Sequence, residues 1–178
     1  SATEETKAIW PYSFEQIMED VVGRELMVTL TTENTGDEAF SITQAFHAYF
    51  LTGDISQVKV LGLEDTTYLD KANGGEEKTQ SGAVTVSAEV DRIYTDGKPV
   101  LMIEDGEKGR VIRISSEGSK TAIVWNPWIE IAEKMADLAA QDYQQFICVE
   151  TANAVDDIAE VAAGGEYRLR AVYAIERG

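Results

Sequence analysis

The sequence predicts an all-β fold, an antiparallel β-sandwich with one short helix, formed as a single domain across residues 1–178. Two observations carry this. Apolar and polar residues alternate with period two through several segments, which is the signature of a half-buried strand. Between those segments stand turn pairs (Gly74-Gly75, Asp96-Gly97, Asp105-Gly106, Glu117-Gly118 and Gly164-Gly165), spaced as an antiparallel all-β chain spaces them.

The elements follow in order. Leu26, Val28 and Leu30 alternate with Met27, Thr29 and Thr31, and the cluster Glu33-Asn34-Thr35-Gly36-Asp37 then turns the chain. One long strand is expected over Phe40–Phe50. Phe40, Ile42, Phe46, Ala48 and Phe50 line one face, and Ser41, Thr43, Ala45, His47 and Tyr49 the other. Further strands are expected at Gln57–Leu61, Val84–Val90, Val100–Glu104, Val111–Ser115, Thr121–Trp125, Gln145–Thr151 and Tyr167–Ile175. Lys71–Gly82 is polar and Gly-rich, a loop or hairpin end. The stretch from Pro127 to Ala140 breaks the alternation. It places Pro near a helix start with helix formers after it, and so predicts the one surface helix. No internal repeat, low-complexity tract or linker divides the chain.

Composition narrows the function. Hydrophobic residues make up 44% of the chain, enough for a packed core and against disorder. No apolar run approaches the ~20 residues of a membrane helix, and no basic-apolar leader opens the sequence. The net charge of −17 repels a polyanion such as DNA, and serves solubility. The 15 Lys and Arg are scattered, so no basic pocket for a phosphate is visible. One cysteine, Cys148, makes no internal disulfide, which points to a reducing compartment, most simply the cytoplasm. With one His and one Cys, a His/Cys metal cluster fails on arithmetic. No glycine-rich phosphate loop precedes a helix, and no Ser stands in a nucleophile elbow. Acid–base work by carboxylates and one imidazole is what remains.

His47, the single histidine, shares its strand face with Tyr49. It is either a hydrogen-bonded structural residue or a general acid or base titrating near neutrality. Glu150 ends the apolar run Phe146-Ile147-Cys148-Val149 and faces the side of Phe146 and Cys148. It is an exposed strand-end acid or a functional carboxylate. Asp91 closes Val84–Val90 beside Arg92, as a turn acid or a surface ion-pair partner. Trp125 and Trp128 anchor a loop or stack on a sugar face. Cys148 is a buried small hydrophobe, and Arg168 with Arg170 forms a solvated strand face.

The residues now gather into one pattern. His47-Ala48-Tyr49-Phe50 leads into Gly53-Asp54-Ile55, Val60-Leu61-Gly62-Leu63 and Tyr68-Leu69-Asp70. After these come Glu89-Val90-Asp91-Arg92-Ile93-Tyr94, Val124-Trp125-Asn126-Pro127-Trp128, Lys134-Met135-Ala136-Asp137 and Cys148-Val149-Glu150-Thr151-Ala152-Asn153. In order and type, from about Trp10 to the end, this resembles the glucose-6-phosphate 1-epimerase (hexose-6-phosphate mutarotase) branch of the aldose 1-epimerase family. The resemblance implies a galactose-mutarotase-type sandwich and exchange of sugar anomers with no cofactor or metal. It implies that His47 is the general acid, Glu150 the general base and Asp91 a ligand to a sugar hydroxyl.

Full-length members of that family carry a further N-terminal section, with more strands, another active-site histidine and the basic residues that hold phosphate. The resemblance therefore reads this chain as the C-terminal part of such a sandwich. Self-association through an exposed edge is then expected, as is a substrate that is a sugar phosphate or an unphosphorylated aldose. A non-catalytic carbohydrate-binding sandwich is the other class, and the presence of both His47 and Glu150 favours the enzyme.

Overall fold

The computed structural model describes residues 2–139 and 141–177. In chain order the helices are α1 (Glu4–Ile9) and α2 (Trp128–Ala132). The strands of the first half are β1 (Phe14–Val22), β2 (Glu25–Asn34), β3 (Phe40–Ile42), β4 (Gln44–Phe46), β5 (Tyr49–Leu51), β6 (Val58–Leu61), β7 (Thr67–Asp70) and β8 (Glu76–Thr79). Those of the second half are β9 (Val90–Tyr94), β10 (Val100–Asp105), β11 (Arg110–Glu117), β12 (Thr121–Asn126), β13 (Phe146–Asn153), β14 (Ala159–Val161) and β15 (Glu166–Arg177). One sheet runs β1-β2-β15-β11-β10-β6. The second runs β4-β13-β12-β9-β7-β8, with β5 also on β13, while β14 and β3 form a separate pair. Neighbouring strands pair antiparallel in both sheets. This is the expected antiparallel sandwich.

Alternation builds the core. Val58, Val60, Ile103, Ile112 and Ile114 from the first sheet meet Tyr94, Val124, Ile147 and Val149 from the second, all within one buried cluster. Burying side chains of this size contributes roughly 1.5–3 kcal/mol each. The opposite face of the second sheet is therefore free to carry something else.

Four expectations change. The single strand Phe40–Phe50 is three short ones. Phe40–Ile42 pairs with β14, while Gln44–Phe46 and Tyr49–Leu51 both lie on β13. The break falls at His47, where the Ala48 N–H donates to the Phe46 carbonyl at 2.9 Å, a three-residue turn inside the strand. The side-chain alternation survives, because Phe46 and Phe50 are half-buried while Ala45, His47 and Tyr49 are exposed.

Val84–Val90 is not a strand. Val84 makes an isolated bridge to Val60 of the first sheet, the segment then crosses between sheets, and only its last residue, Val90, joins a strand as the start of β9. Asp91 thus lies near the start of a strand rather than after the end of one. Lys71–Gly82 holds a 3₁₀ turn and β8, which closes a hairpin on β7. The predicted helix is confined to Trp128–Ala132, followed by turns; its expected end, Ala140, lies outside the described residues.

Two elements carried weak sequence signals. α1 is held by a capping box between Thr3 and Thr6 and buries no residue. β1 forms the outer edge of the first sheet and exposes Ile17, Met18, Val21 and Val22. An unpaired edge with apolar side chains recruits partners. The chain on its own is expected to self-associate with rising concentration. Sedimentation velocity checks this, and a monomer at every concentration contradicts it.

Candidate active site

The site lies on the outer face of the second sheet, and strand register puts it there. One row across the sheet reads Leu69, Ile93, Ile123, Glu150; the next reads Asp91, Trp125, Cys148, Tyr49. β4 and β5 keep a single register against β13, with Phe46 opposite Thr151 and Tyr49 opposite Cys148. Continued through the break, that register sets His47 opposite Glu150. Cross-strand neighbours carry Cβ atoms only about 4.5–5.5 Å apart, so the two side chains must meet. His47 Nε2 lies 3.4 Å from Glu150 Oε1.

A pocket of about 310 Å³ opens above this pair, lined by His47, Lys71, Asp91, Ile93, Ile123, Trp125 and Glu150. The three sequence-predicted site residues therefore share one pocket. His47 and Glu150, the acid and base that the family resemblance implies, adjoin each other at 3.4 Å and do not face each other across the pocket. A larger cavity of about 450 Å³ lies between the Thr52–Ser56 loop and Tyr143–Gln145, and neither His47, Glu150 nor Asp91 lines it.

The two partners differ in solvation. Glu150 is 6% exposed and His47 51%. Burial pushes the Glu150 carboxyl above the usual carboxylate range; His47 opposes that rise and the Asp91 charge adds to it. Asp91, half-buried, is also raised, by burial first, with Lys71 opposing and Asp70 reinforcing. A buried carboxylate beside an imidazole is arranged for proton transfer.

Trp125 lines the pocket, its ring edge-on to His47 at 5.7 Å and 6.0 Å from Phe146. Trp128 is not at the site; it packs against Tyr143 at 5.2 Å. Cys148 is fully buried beneath, and burial pushes its thiol pKa up, as expected of a small hydrophobe. Arg168 and Arg170 pair with Glu166 and Glu117 on the other sheet. Lys71, the first residue of the segment expected as a loop or hairpin end, joins the site. It follows β7, and the β7–β9 register, continued by one residue, places it opposite Asp91. The alternation Leu69, Lys71 was the signal for it.

An imidazole–carboxylate pair, a further carboxylate and a tryptophan thus line one pocket on an antiparallel sandwich. The family model described as aldose 1-epimerase matches residues 1–174, and the chain belongs to that family. It is 38% identical over 172 residues to a protein of Cenchrus ciliaris, covering 94% of this chain and 52% of that one. It is 34% identical over 153 residues to a protein of Escherichia coli K12, covering 85% and 50%. Both are named "Putative glucose-6-phosphate 1-epimerase". The chain thus spans about half the length of the curated relatives it matches. Among solved structures, the "putative mutarotase (YeaD)" of Salmonella typhimurium superposes with a TM-score of 0.89 at 28% identity, over 99% of this chain and 58% of that one. The Slr1438 protein of Synechocystis, at 18% identity and a TM-score of 0.82, shares the fold.

Proposed function

We propose that this chain carries the acid–base site that interconverts the α and β anomers of a hexose 6-phosphate. The observation that carries the reading is the His47–Glu150 pair, 3.4 Å apart in the pocket that Trp125 also lines. Glu150 enters as carboxylate and His47 as imidazolium. Glu150 takes the proton of the C1 hydroxyl. The C1–O1 bond becomes a carbonyl, the C1–ring-oxygen bond breaks, and its electron pair takes the proton of His47. Rotation about C1–C2 presents the other carbonyl face to the freed hydroxyl. The ring closes as His47 recovers its proton and Glu150 returns its own to O1. Both groups end as they began, so no other reactant is consumed.

Trp125 offers an apolar face for the sugar ring, and Asp91 accepts a hydrogen bond from a hydroxyl. The phosphate follows from the names of the relatives, and Lys71 is the cation lining the pocket. Against it stand Glu150, Asp91 and the net charge of −17, which favour an unphosphorylated aldose as the second reading. The buried thiol of Cys148 accords with a reducing compartment, the cytoplasm.

Exchange spectroscopy by NMR on glucose and on glucose 6-phosphate tests both readings together. Faster anomer exchange of the phosphate ester supports the first, and faster exchange of glucose alone the second. Exchange of neither leaves a binding module. Asp91→Asn is expected to raise KM about tenfold or more, the worth of a hydrogen bond to a charged group. Its kcat should stay close to that of the unsubstituted chain, and steady-state kinetics separate the two.

A further inference from the structure

We infer that Tyr49 is a positioning residue that holds the His47 ring in the plane from which it donates its proton, an inference that rests on the acid role proposed above. The backbone does not do this. His47 sits in the break between β4 and β5, outside the β13 ladder, in a three-residue turn closed by the Ala48 N–H. Its side chain is half in solvent, and among the described residues its one ion pair or side-chain hydrogen bond is with Glu150 at 3.4 Å. A single contact at one nitrogen leaves the ring free to swing about that contact.

Rings supply the missing constraint. The Tyr49 ring centroid lies 4.9 Å from that of the imidazole with the two planes 14° apart, an offset, near-parallel stack. Trp125 meets the imidazole edge-on at 79°. One ring sets the plane, the other limits sliding within it, and the Glu150 carboxylate sets the direction of Nε2. Tyr49 is itself anchored. β5 pairs it with Cys148, and its ring leans on Phe146 at 5.2 Å and on Trp125 at 6.1 Å. The stack also suits the chemistry, since a protonated imidazole over an electron-rich ring face is attracted to it. The Tyr49 hydroxyl stays protonated, because burial first, and then the nearby Cys148, Asp137 and Glu150, push its pKa up.

His47 is the only histidine, so the imidazole NMR signals of the chain belong to one residue. The test compares Tyr49→Phe with Tyr49→Leu in this chain, each checked for unchanged thermal unfolding. The Phe variant keeps the ring-current shielding of the His47 protons and the wild-type kcat. The Leu variant, apolar but unable to stack, loses the shielding. Its kcat falls about tenfold, within the ~100-fold that a misplaced reacting group can cost, while KM moves less than about twofold. A Leu variant with wild-type imidazole signals overturns the inference, as does a Leu variant with wild-type kcat. So does a Phe variant that falls as far as Leu, which assigns the effect to the hydroxyl. The imidazole spectrum needs no turnover. Absence of anomer exchange in the unsubstituted chain would therefore count against the acid role of His47 while the stack is still decided by the spectrum.

Discussion

Glu150→Gln is expected to lower the rate of anomer exchange by at least about tenfold, at the cautious edge of the ~100- to 10,000-fold that general acid–base groups contribute. The substitution keeps shape and removes the base. The amide still occupies the position 3.4 Å from His47, but it accepts no proton from the C1 hydroxyl. Substrate binding should fall less than turnover, because the carboxylate acts as charge develops in the transition state. The pH dependence follows from the raised pKa, set by burial first and reinforced by Asp91. Activity needs the ionised form, so kcat/KM of the unsubstituted chain rises with pH through a value above the ordinary ~4.3 of Glu. Stability runs the other way. Between that ordinary value and the raised folded value, the native state binds more protons than the unfolded one. The contribution of Glu150 is thus present at acid pH and lost as pH rises through the folded pKa. The Gln variant escapes that loss, and its melting temperature should equal or exceed the wild-type value near neutrality. Kinetic pH profiles and thermal melts check both parts. A Gln variant with near wild-type turnover, beside an Asp91→Asn variant crippled in turnover alone, would put the base on Asp91.

His47→Asn is expected to cost at least about tenfold in anomer exchange, on the same scale of general acid catalysis. Asn keeps a hydrogen-bond donor and loses the transferable proton. With 51% of the side chain exposed, the fold should barely register the change, since surface substitutions usually stay within about 0.5 kcal/mol. The electrostatic effect on Glu150 is larger. His47 is the group that opposes the rise in the Glu150 pKa, and without it the acid limb of the residual activity moves to higher pH. Residual kcat, its pH profile and the melting temperature are the measurements. An unfolded variant would show His47 to be structural, and full activity would remove it from the mechanism.

How much of this is legible in the chain depends on the range of the interaction. Strands such as β10, β11, β12 and β15 announce themselves, because side chains two apart share a face and the apolar ones go inward. The same rule aims His47 and Tyr49 outward in the sequence as in the structure. β1 is less legible: Ile17-Met18 and Val21-Val22 come as adjacent pairs, a spacing closer to a helix, and its partner β2 decides the matter. Val84–Val90 misleads in the opposite sense. Val84 and Val86 are buried where the chain crosses between sheets, and burial alone writes the same apolar run as a ladder does.

Alternation and composition suffice for the fold class, for placing His47 on the strand face away from Phe46 and Phe50, and for the small set of groups able to move a proton. Only the tertiary structure decided that Glu150 stands beside His47 at 3.4 Å, with Asp91 two strands away and Lys71 next to it. It also decided that Trp125 and not Trp128 serves the pocket. The reason is that alternation is local, fixed by neighbours two residues apart. Register joins residues about a hundred positions apart, and a slip of one residue would turn Glu150 into the core and leave His47 without a partner.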